Sequence, residues 1–231
     1  MATPQYVRRM FASITQRYDL LNHLLSFGLD RSWRKKTAGI ALSAGSSVLD
    51  ICAGTLDLSI EIKEQKNDAM VVSTDFCTEM LIHGIKKIKN NPKIMEIRVL
   101  SADAICLPFK DESFNAVTVA FGLRNISQLK KALSEMRRVI KRGGKAVILE
   151  FYKPEGLFLS LLFRPYLRFV LPFIGRIISG DKVAYTYLRD SVEGFVSRKE
   201  MSERLIEAGF KDVEFKDLSF GIATIHTGVK E

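Results

Sequence analysis

Acidic residues follow three apolar segments in the first half of the chain. Asp50 lies in the run SVLDIC, Asp75 ends AMVVSTD, and Asp103 ends EIRVLSAD. Such short apolar runs predict buried strands, and open α/β sheets bind ligands at the carboxyl ends of their strands. An acid after the second strand can accept hydrogen bonds from a ribose diol, and one after the third from the amine of an adenine. Each acid alone is more typical of a turn or a helix cap, but the three together predict a site for a nucleotide-like ligand.

The turn after the first of these segments, DICAGTLD at 50–57, contains a single glycine. Gly54 lets the backbone approach a ligand closely, and the helix that follows presents free N–H groups. A glycine turn with an acid ~20 residues further on also suits a nicotinamide dinucleotide, but the strict G-x-G-x-x-G pattern is absent. The turn therefore predicts a nucleotide-like cofactor and leaves its identity open.

Alternating strands and helices must position these residues. The apolar runs predict strands at 47–52, 69–75, 96–103, 114–121 and 145–151, with helices at 57–66, 78–90 and 127–141. This alternation indicates βαβ units and a parallel sheet that helices cover on both faces. We expect Gly143 and Gly144 to form a turn before the fifth strand and to do no chemistry.

Both ends of the chain and one internal segment depart from this alternation. Residues 1–45 have apolar side chains at three- and four-residue steps, which predicts an amphipathic helical cap. Residues 152–196, rich in Leu, Phe, Arg and Pro, predict a helical insertion. Ser197 and Glu200 form a capping box that opens a helix stopped by Gly209, and strands at 213–218 and 222–229 close the sheet. We therefore predict one domain over 1–231.

Composition narrows the classes of function. The net charge of +9 suits nucleic acid or an anionic membrane face as a partner. No nucleic-acid-binding motif is present, and the basic stretch at 130–145 is typical of a solvated helix face, so we expect no nucleic-acid partner. The three cysteines and three histidines have no zinc spacing, which indicates reduced thiols in a cytosolic protein and no metal. No apolar run reaches the length of a transmembrane helix.

Four segments, in order, resemble the UbiE/MenG family, the C-methyltransferases of ubiquinone and menaquinone biosynthesis. They are YDLLNHLLSFGLDRSWR (18–34), FGLRNI (121–126), RVIKRGGKAVILEFYKP (138–154), and DKVAYTYLRDSVEGF (181–195) with the EAGF and FGIATIHTG segments after it. The similarity runs from about Tyr18 to the C-terminus. A generic methyltransferase would share the sheet and the acids but not FGLRN or the 18–34 segment.

The resemblance implies an α/β fold of the class I, Rossmann-like methyltransferase type, with a seven-stranded, mostly parallel sheet. It also implies S-adenosylmethionine as the cofactor and the ring of a demethylated isoprenoid quinol as the methyl acceptor. Carried over to the matching positions, the cofactor site comprises Asp50, Gly54, Thr55, Asp75, Asp103, Ala104 and Ala120. Ala120 stands where the family often has a serine, so one polar contact is expected to be lost.

Methylation of a ring carbon requires a base, or a cation that stabilises the developing phenolate, and requires no metal. Arg124 and Asn125, directly after the fourth strand, are the main candidates; Arg124 would bind the phenolate or orient a water that takes the proton. Tyr18 and His23 of the N-terminal helix are expected to cover the site, with His23 as a candidate base. The alternatives are an ion pair for Arg124, a surface histidine, and a core aromatic for Tyr18.

The turn at 50–57 departs from the family pattern, because Leu56 replaces its last glycine. A leucine adds a side chain beside the cofactor and resists positive φ. We expect the position to have ordinary helical geometry and to tolerate leucine. The alternative is weakened cofactor binding, or a partly degenerate enzyme that serves as a cofactor-binding scaffold in a quinone-synthesis complex.

The insertion carries the expectations about the membrane. GLFLSLLFRPYLRFVLPFIGRII (156–178) combines Phe and Leu with spaced arginines, and its two prolines break any span. It is typical of an interfacial helix pair, or of a lid whose apolar residues line a pocket. We expect a cytoplasmic protein, peripheral on the inner face of the cell membrane, that can form a homodimer. Another lipophilic acceptor, such as a sterol or tocopherol precursor, stays open as an alternative.

Overall fold

The apolar runs of the sequence assemble into one central sheet in the computed structural model, which describes residues 3–91, 94, 96–153 and 182–231. Its strands are β1 (Ser47–Ile51), β2 (Met70–Asp75), β3 (Ile97–Ser101), β4 (Phe114–Ala120), β5 (Ile140–Phe151), β6 (Lys211–Leu218) and β7 (Ala223–Val229). They lie in the order β3-β2-β1-β4-β5-β7-β6. Neighbouring strands from β3 through β5 pair in parallel, and β7 runs antiparallel to β5 and β6. The predicted seven-stranded, mostly parallel sheet is therefore confirmed.

Helices cover both faces of this sheet. They are α1 (Pro4–Leu25), α2 (Leu29–Ser43), α3 (Asp57–Gln65), α4 (Thr78–Lys89), α5 (Leu129–Val139), α6 (Lys182–Glu193) and α7 (Arg198–Glu207). Successive residues of the central strands face opposite layers: Leu49 and Val117 belong to one apolar cluster, and their neighbours Val48 and Ala116 to another. Burial on both faces explains why β1 reads as an uninterrupted apolar run around Asp50.

The order of the strands fixes where a ligand can bind. β1 pairs with β2 on one side and with β4 on the other, so the connections leave β1 and β4 in opposite directions. The crevice at the carboxyl ends of the strands on either side of such a switch point is the usual ligand site of an open α/β sheet. The three acids of the sequence analysis lie at this edge of the sheet.

Gly143 and Gly144 correct one expectation, because they lie inside β5 and not in a turn before it. The pairing of β4 with β5 shifts between Phe114↔Ile140 and Ala116↔Lys145, so the two glycines form a bulge in the strand. The backbone N–H of Gly143 donates to the carbonyl of Lys230 at 2.7 Å. The glycine pair therefore holds the end of the chain against the sheet.

The helical cap and the C-terminal elements follow their predicted order. The cap is two helices, separated by a turn at 26–28 in which Gly28 has a φ of 74°. Ser197 and Glu200 form the predicted capping box of α7. Of the predicted insertion at 152–196, residues 154–181 lie outside the described residues, and with them the membrane-contact segment at 156–178. Among the described residues, no helix has both the length and the hydropathy that crossing a bilayer requires.

Candidate active site

A cavity opens at the carboxyl ends of β1, β2 and β4, and α1 forms part of its wall. Most of the predicted cofactor residues line it, namely Gly54, Asp75, Asp103, Ala104 and Ala120. Together with its open mouth the space measures about 880 Å³. Asp103 is exposed and Ala104 is buried, so the third strand end presents one charged and one apolar surface.

Asp75 is held by the turn that follows β1. Its two carboxylate oxygens accept from the backbone N–H groups of Gly54 at 2.9 Å and Cys77 at 2.8 Å. Burial raises the pKa of Asp75, and these backbone hydrogen bonds oppose the rise. A carboxylate with its orientation fixed in this way presents its remaining lone pairs to the cavity, as recognition of a ribose diol requires.

Asp50 lies deeper and lines a second, smaller cavity. This cavity shares Tyr18, Cys52, Gly54 and Ala120 with the larger one. The Asp50 carboxylate accepts from the hydroxyls of Ser59 at 2.5 Å and Thr118 at 2.9 Å. Burial raises its pKa to about 6, although both hydrogen bonds lower it.

Thr55 is buried, and its hydroxyl donates to the carboxylate of Asp19 on α1. Asp19 also accepts from the ammonium of Lys87 on α4 at 2.7 Å. The hydroxyl of Thr55, which was predicted to contact the cofactor, therefore donates to the helical cap in this structure. Asp19 joins the cap to the cofactor turn, a role that sequence reasoning did not assign to it.

Arg124 lies in a short 3-10 turn at Leu123–Asn125, directly after β4. Its Nη1 donates to Oε1 of Glu150 at 2.6 Å and to the carbonyl of Phe121, and the guanidinium carbon lies 5.6 Å from the ring centre of Phe151. The side chains of Arg124 and Glu150 are 5% and 0% exposed. Among the described residues, none accepts a hydrogen bond from the buried Nε of Arg124. Arg124 is therefore buried and paired with Glu150, but it is not among the described residues that line either cavity, whereas its neighbour Asn125 lines the larger one.

Glu150 is a residue that sequence reasoning missed. Its carboxylate also accepts from the backbone N–H groups of Arg124 at 3.3 Å and Phe151 at 2.8 Å, so it holds the turn as well as the guanidinium. The signal was available, since an acid inside the buried run AVILEF requires a partner. That the partner is Arg124 depends on the pairing of β4 with β5, which the sequence does not give.

Tyr18 and Asn125 both line the larger cavity. Burial raises the pKa of Tyr18, with the charge of Arg124 opposing the rise, so its phenol is neutral at neutral pH. The Oδ1 of Asn125 accepts from the hydroxyl of Tyr187 on α6 at 3.0 Å. Tyr187, a second missed residue, thereby fixes the orientation of the Asn125 amide.

His23 lies at the C-terminal end of α1 and is not itself among the described residues that line the two cavities. Its Nδ1 is 2.7 Å from Oδ2 of Asp30, which also pairs with the guanidinium of Arg34. His23, Asp30 and Asp57 offer possible metal-ligand atoms within 4.8 Å of one another. The guanidinium of Arg34, however, pairs with both carboxylates and compensates their negative charge. The assignment of His23 as the base stays a prediction.

The expectation of helical geometry at Leu56 is wrong. Its φ is 69° and its ψ is 17°, the left-handed conformation that a glycine adopts most easily. The side chain is fully buried and is not among the described residues that line either cavity. It does not protrude beside the cofactor, because it packs toward α4.

The chain is similar to known proteins in family, in sequence and in fold. The model of the ubiE/COQ5 methyltransferase family matches residues 1–230. A demethylmenaquinone methyltransferase of Thermus thermophilus is 45% identical over 95% of this chain and 99% of its own length. A ubiquinone/menaquinone biosynthesis C-methyltransferase of Geobacter sulfurreducens is 42% identical over 97% and 88%. The crystal structure of an S-adenosylmethionine-dependent methyltransferase from Thermotoga maritima, 16% identical, superposes with a TM-score of 0.64 over 96% and 99% and supports the fold.

Proposed function

Since the chain belongs to the ubiE/COQ5 methyltransferase family, we propose that it methylates a ring carbon of demethylmenaquinol. The family assignment makes the chain an S-adenosylmethionine-dependent methyltransferase of quinone biosynthesis. The Thermus thermophilus relative, named for demethylmenaquinone, favours a naphthoquinol over a benzoquinol ring. The single structural observation that supports the proposal is the buried Arg124–Glu150 pair next to Asn125, a residue that lines the larger cavity.

The cavity suits S-adenosylmethionine by the chemistry of its lining. Asp75 offers oriented acceptors for a ribose diol, Asp103 offers a charged acceptor for an exocyclic amine, and Ala104 with Ile105 provides apolar wall for a flat ring. When bound there, the cofactor supplies a methyl group on a sulfonium, an electrophile that carries its own leaving group. The protein must then hold the acceptor ring, exclude water and accept a proton.

Arg124 supplies the positive charge that ring methylation needs. A quinol ring carbon becomes nucleophilic as its neighbouring hydroxyl loses a proton, and a fixed guanidinium stabilises the oxygen anion that develops. The Nε–H, for which the described part of the chain offers no acceptor, and the neighbouring Asn125 suit that oxygen, or a water that carries the proton away. Tyr18, a neutral phenol, donates a hydrogen bond and does not act as the base.

Glu150 is a positioning residue in this proposal. Its side chain has no exposed surface, its carboxylate compensates the charge of Arg124, and it accepts hydrogen bonds from both the guanidinium and the backbone N–H of that residue. Without it, the arginine would be an uncompensated buried charge and would move toward solvent.

Membrane contact and assembly belong to the same proposal. The acceptor is a lipid, the chain carries a net charge of +9, and the segment at 156–178 has an interfacial composition. We propose that this segment brings the enzyme to the inner face of the cell membrane as a peripheral protein, and that the protein can form a homodimer. Flotation with anionic vesicles tests the contact, since a Phe158, Leu162 and Phe163→Ser variant should float less than the wild type.

The activity is tested with purified protein, methyl-labelled S-adenosylmethionine and two acceptors, demethylmenaquinol and the demethylated benzoquinol, in detergent micelles. Label in the naphthoquinol ring is expected. Label only in the benzoquinol would overturn the choice of ring, and cofactor binding without labelling of either ring would leave a scaffold as the function. A sterol or tocopherol precursor serves as the arm for other lipophilic acceptors.

A further inference from the structure

The turn between β6 and β7 holds its backbone in a rare conformation. Ser219, Phe220 and Gly221 have φ values of 47°, 60° and 84°, so three consecutive residues are left-handed. For the first two residues this conformation costs free energy, because a Cβ then crowds the following carbonyl oxygen. Burial of the Phe220 side chain does not offset this cost, since the residue is 81% exposed. A strained backbone that presents an exposed aromatic ring points to a contact outside the folded chain.

Buried polar groups fix this turn from two sides. The side chain of Arg198 on α7, which is 4% exposed, donates to the carbonyl of Gly221 at 2.5 Å. From α2, Nε1 of Trp33 donates to the hydroxyl of Ser219 at 3.0 Å. The exposure of Phe220 therefore results from an anchored turn and not from a loose loop.

The bond to Trp33 places further exposed apolar groups beside the turn. Leu29 lies one helical turn before Trp33 on the same face of α2 and is 44% exposed. Phe27, in the turn that precedes α2, has a φ of 52° and is 80% exposed. These two residues and Phe220 form an exposed surface, which we call the apolar patch.

Two exposed lysines flank the apolar patch. Lys36 continues the face of α2 that carries Leu29, seven positions further along the helix. Lys153 directly follows Tyr152, whose backbone N–H donates to the carbonyl of Ile222 beside the turn. Aromatic rings with lysines at their rim match the headgroup region of an anionic bilayer, where rings bury apolar area and ammonium groups meet phosphates.

The acid nearest to the turn in sequence does not cancel this charge. The carboxylate of Asp217 accepts from Nε of the buried Arg198 at 2.8 Å, so its negative charge is compensated within the fold. The charge that the surroundings of the apolar patch present to a partner is therefore positive, in line with the net charge of +9.

We propose that the apolar patch docks on an anionic lipid bilayer, with the ring of Phe220 inserted among the headgroups. This contact is separate from the segment at 156–178, and it rests on the proposed function only in that the methyl acceptor is a lipid. Trp33, which anchors the turn, also packs edge-on against Phe121, and Phe121 lines the larger cavity. Docking on this side holds the cavity near the bilayer in which the acceptor is dissolved.

Phe220→Asn removes the ring without harming the turn, because asparagine suits a left-handed backbone better than phenylalanine does. We expect the free energy of unfolding to stay equal or to rise. Partitioning of the full chain onto vesicles of phosphatidylcholine and phosphatidylglycerol should fall about tenfold, since one aromatic anchor is lost. Co-sedimentation without substrate measures the partitioning. Ile206→Asn on α7 is the matched control, since Ile206 is 59% exposed, and it should partition as the wild type does.

Phe220→Trp reports the position of the ring directly. The wild type has one tryptophan, Trp33, which is 3% exposed, so a change in emission on adding vesicles arises at position 220. A blue shift is expected with the anionic vesicles.

The double variant Lys36→Glu with Lys153→Glu tests the charge. It should bind the anionic vesicles at least about tenfold more weakly at low salt, because each basic residue near such a surface contributes about 1 kcal/mol. Its binding to vesicles of phosphatidylcholine alone should not change. Equal binding of the double variant and the wild type to anionic vesicles would exclude the lysines from the contact.

Unchanged partitioning of Phe220→Asn, together with an unshifted emission of Phe220→Trp, would overturn the docking surface. A wild-type dimer that Phe220→Asn dissociates in the absence of lipid would also overturn it, and would assign the apolar patch to a second copy of the chain. A protein that docks as expected but methylates neither quinol would instead overturn the proposed function and leave the docking surface in place.

Discussion

The side chain of Leu56 lies directly against Gly84 of α4. A Cβ at Gly84 would stand 2.5 Å from Cγ of Leu56 and 2.9 Å from the carbonyl carbon of Thr55. The missing side chain in α4 thus makes room for the extra side chain in the cofactor turn. Leu56 keeps a left-handed backbone that leucine rarely adopts, and its full burial offsets that strain.

The contact makes Gly84→Ala an informative substitution, because we expect it to destabilise the protein although helix propensity alone would predict stabilisation. Alanine inside a helix is ordinarily better than glycine by about 1 kcal/mol. Here we expect a loss of about 2 kcal/mol in the free energy of unfolding, since the turn must shift to avoid overpacking. Urea denaturation measures it. Gly39→Ala in α2 is the matched control, since only the flexible end of Gln65 comes within 3.4 Å there, and it should be neutral or stabilising. Stabilisation by both substitutions would contradict the proposed contact.

The pH dependence of stability tests the burial of Asp50. Burial raises the pKa of Asp50 to about 6 in the folded state, above the ordinary aspartate value of 3.8, so the folded state binds more protons between these pH values. The contribution of Asp50 to the free energy of unfolding is therefore greatest below about pH 3.8. It is lost as the pH rises through about 6, a change of about 3 kcal/mol. Asp50→Asn cannot lose a proton, so its stability relative to the wild type should rise by this order from pH 4 to pH 7. Parallel urea titrations at several pH values check this, and a constant difference would exclude a buried, titrating Asp50.

Arg124→Ala should lower the free energy of unfolding, because it leaves the buried carboxylate of Glu150 without its partner, and in the folded variant it should leave cofactor binding in place and remove most of the turnover. The loss of a fixed donor to a developing oxyanion lowers kcat by about 100-fold or more in comparable sites. Single-turnover assays with the labelled cofactor measure the chemical step directly. Near-normal turnover of the purified variant would contradict the proposed role of Arg124.

Glu150→Gln separates positioning from simple stability. The amide keeps the shape and can still accept one backbone hydrogen bond, but it no longer neutralises Arg124. We expect kcat to fall by about tenfold with an unchanged affinity for S-adenosylhomocysteine, whereas Glu150→Ala should lose about 3 kcal/mol of stability. The pH–rate profile is the discriminating measurement, because a guanidinium without its partner shifts the apparent pKa of the step. An unaltered profile and kcat in Glu150→Gln would mean that Glu150 does not act through Arg124.

The sheet could be predicted from the sequence because strands that are buried on both faces are nearly continuous apolar runs. Apolar runs separated by amphipathic segments set the order of strands and helices, and the acids at strand ends marked the ligand edge. Thr55 and Leu56 show where this reasoning stopped. The turn that contains both residues could be identified from the sequence. Their partners, Asp19 and Gly84, lie on α1 and α4, and the spacing of apolar residues does not predict how these helices pack against the turn.

The chemical site shows the same division. Arg124 and Asn125 could be found from FGLRN, since a motif is contiguous in the chain. Glu150 and Tyr187 contact these two residues from β5 and α6, across 26 and 62 positions of sequence. Pairings of that separation depend on sheet register and helix packing, and a single sequence contains no direct signal for them.

The bond between Thr55 and Asp19 has a consequence for the timing of the reaction cycle. Val7, Phe11 and Tyr18 of α1 wall the larger cavity, and Asp19 anchors the same helix to the turn below it and to Lys87. We expect the spent cofactor to leave past this wall, so that the dwell time of the product depends in part on the Asp19–Lys87 ion pair. Since salt screens such a pair, the steady-state rate should vary with ionic strength.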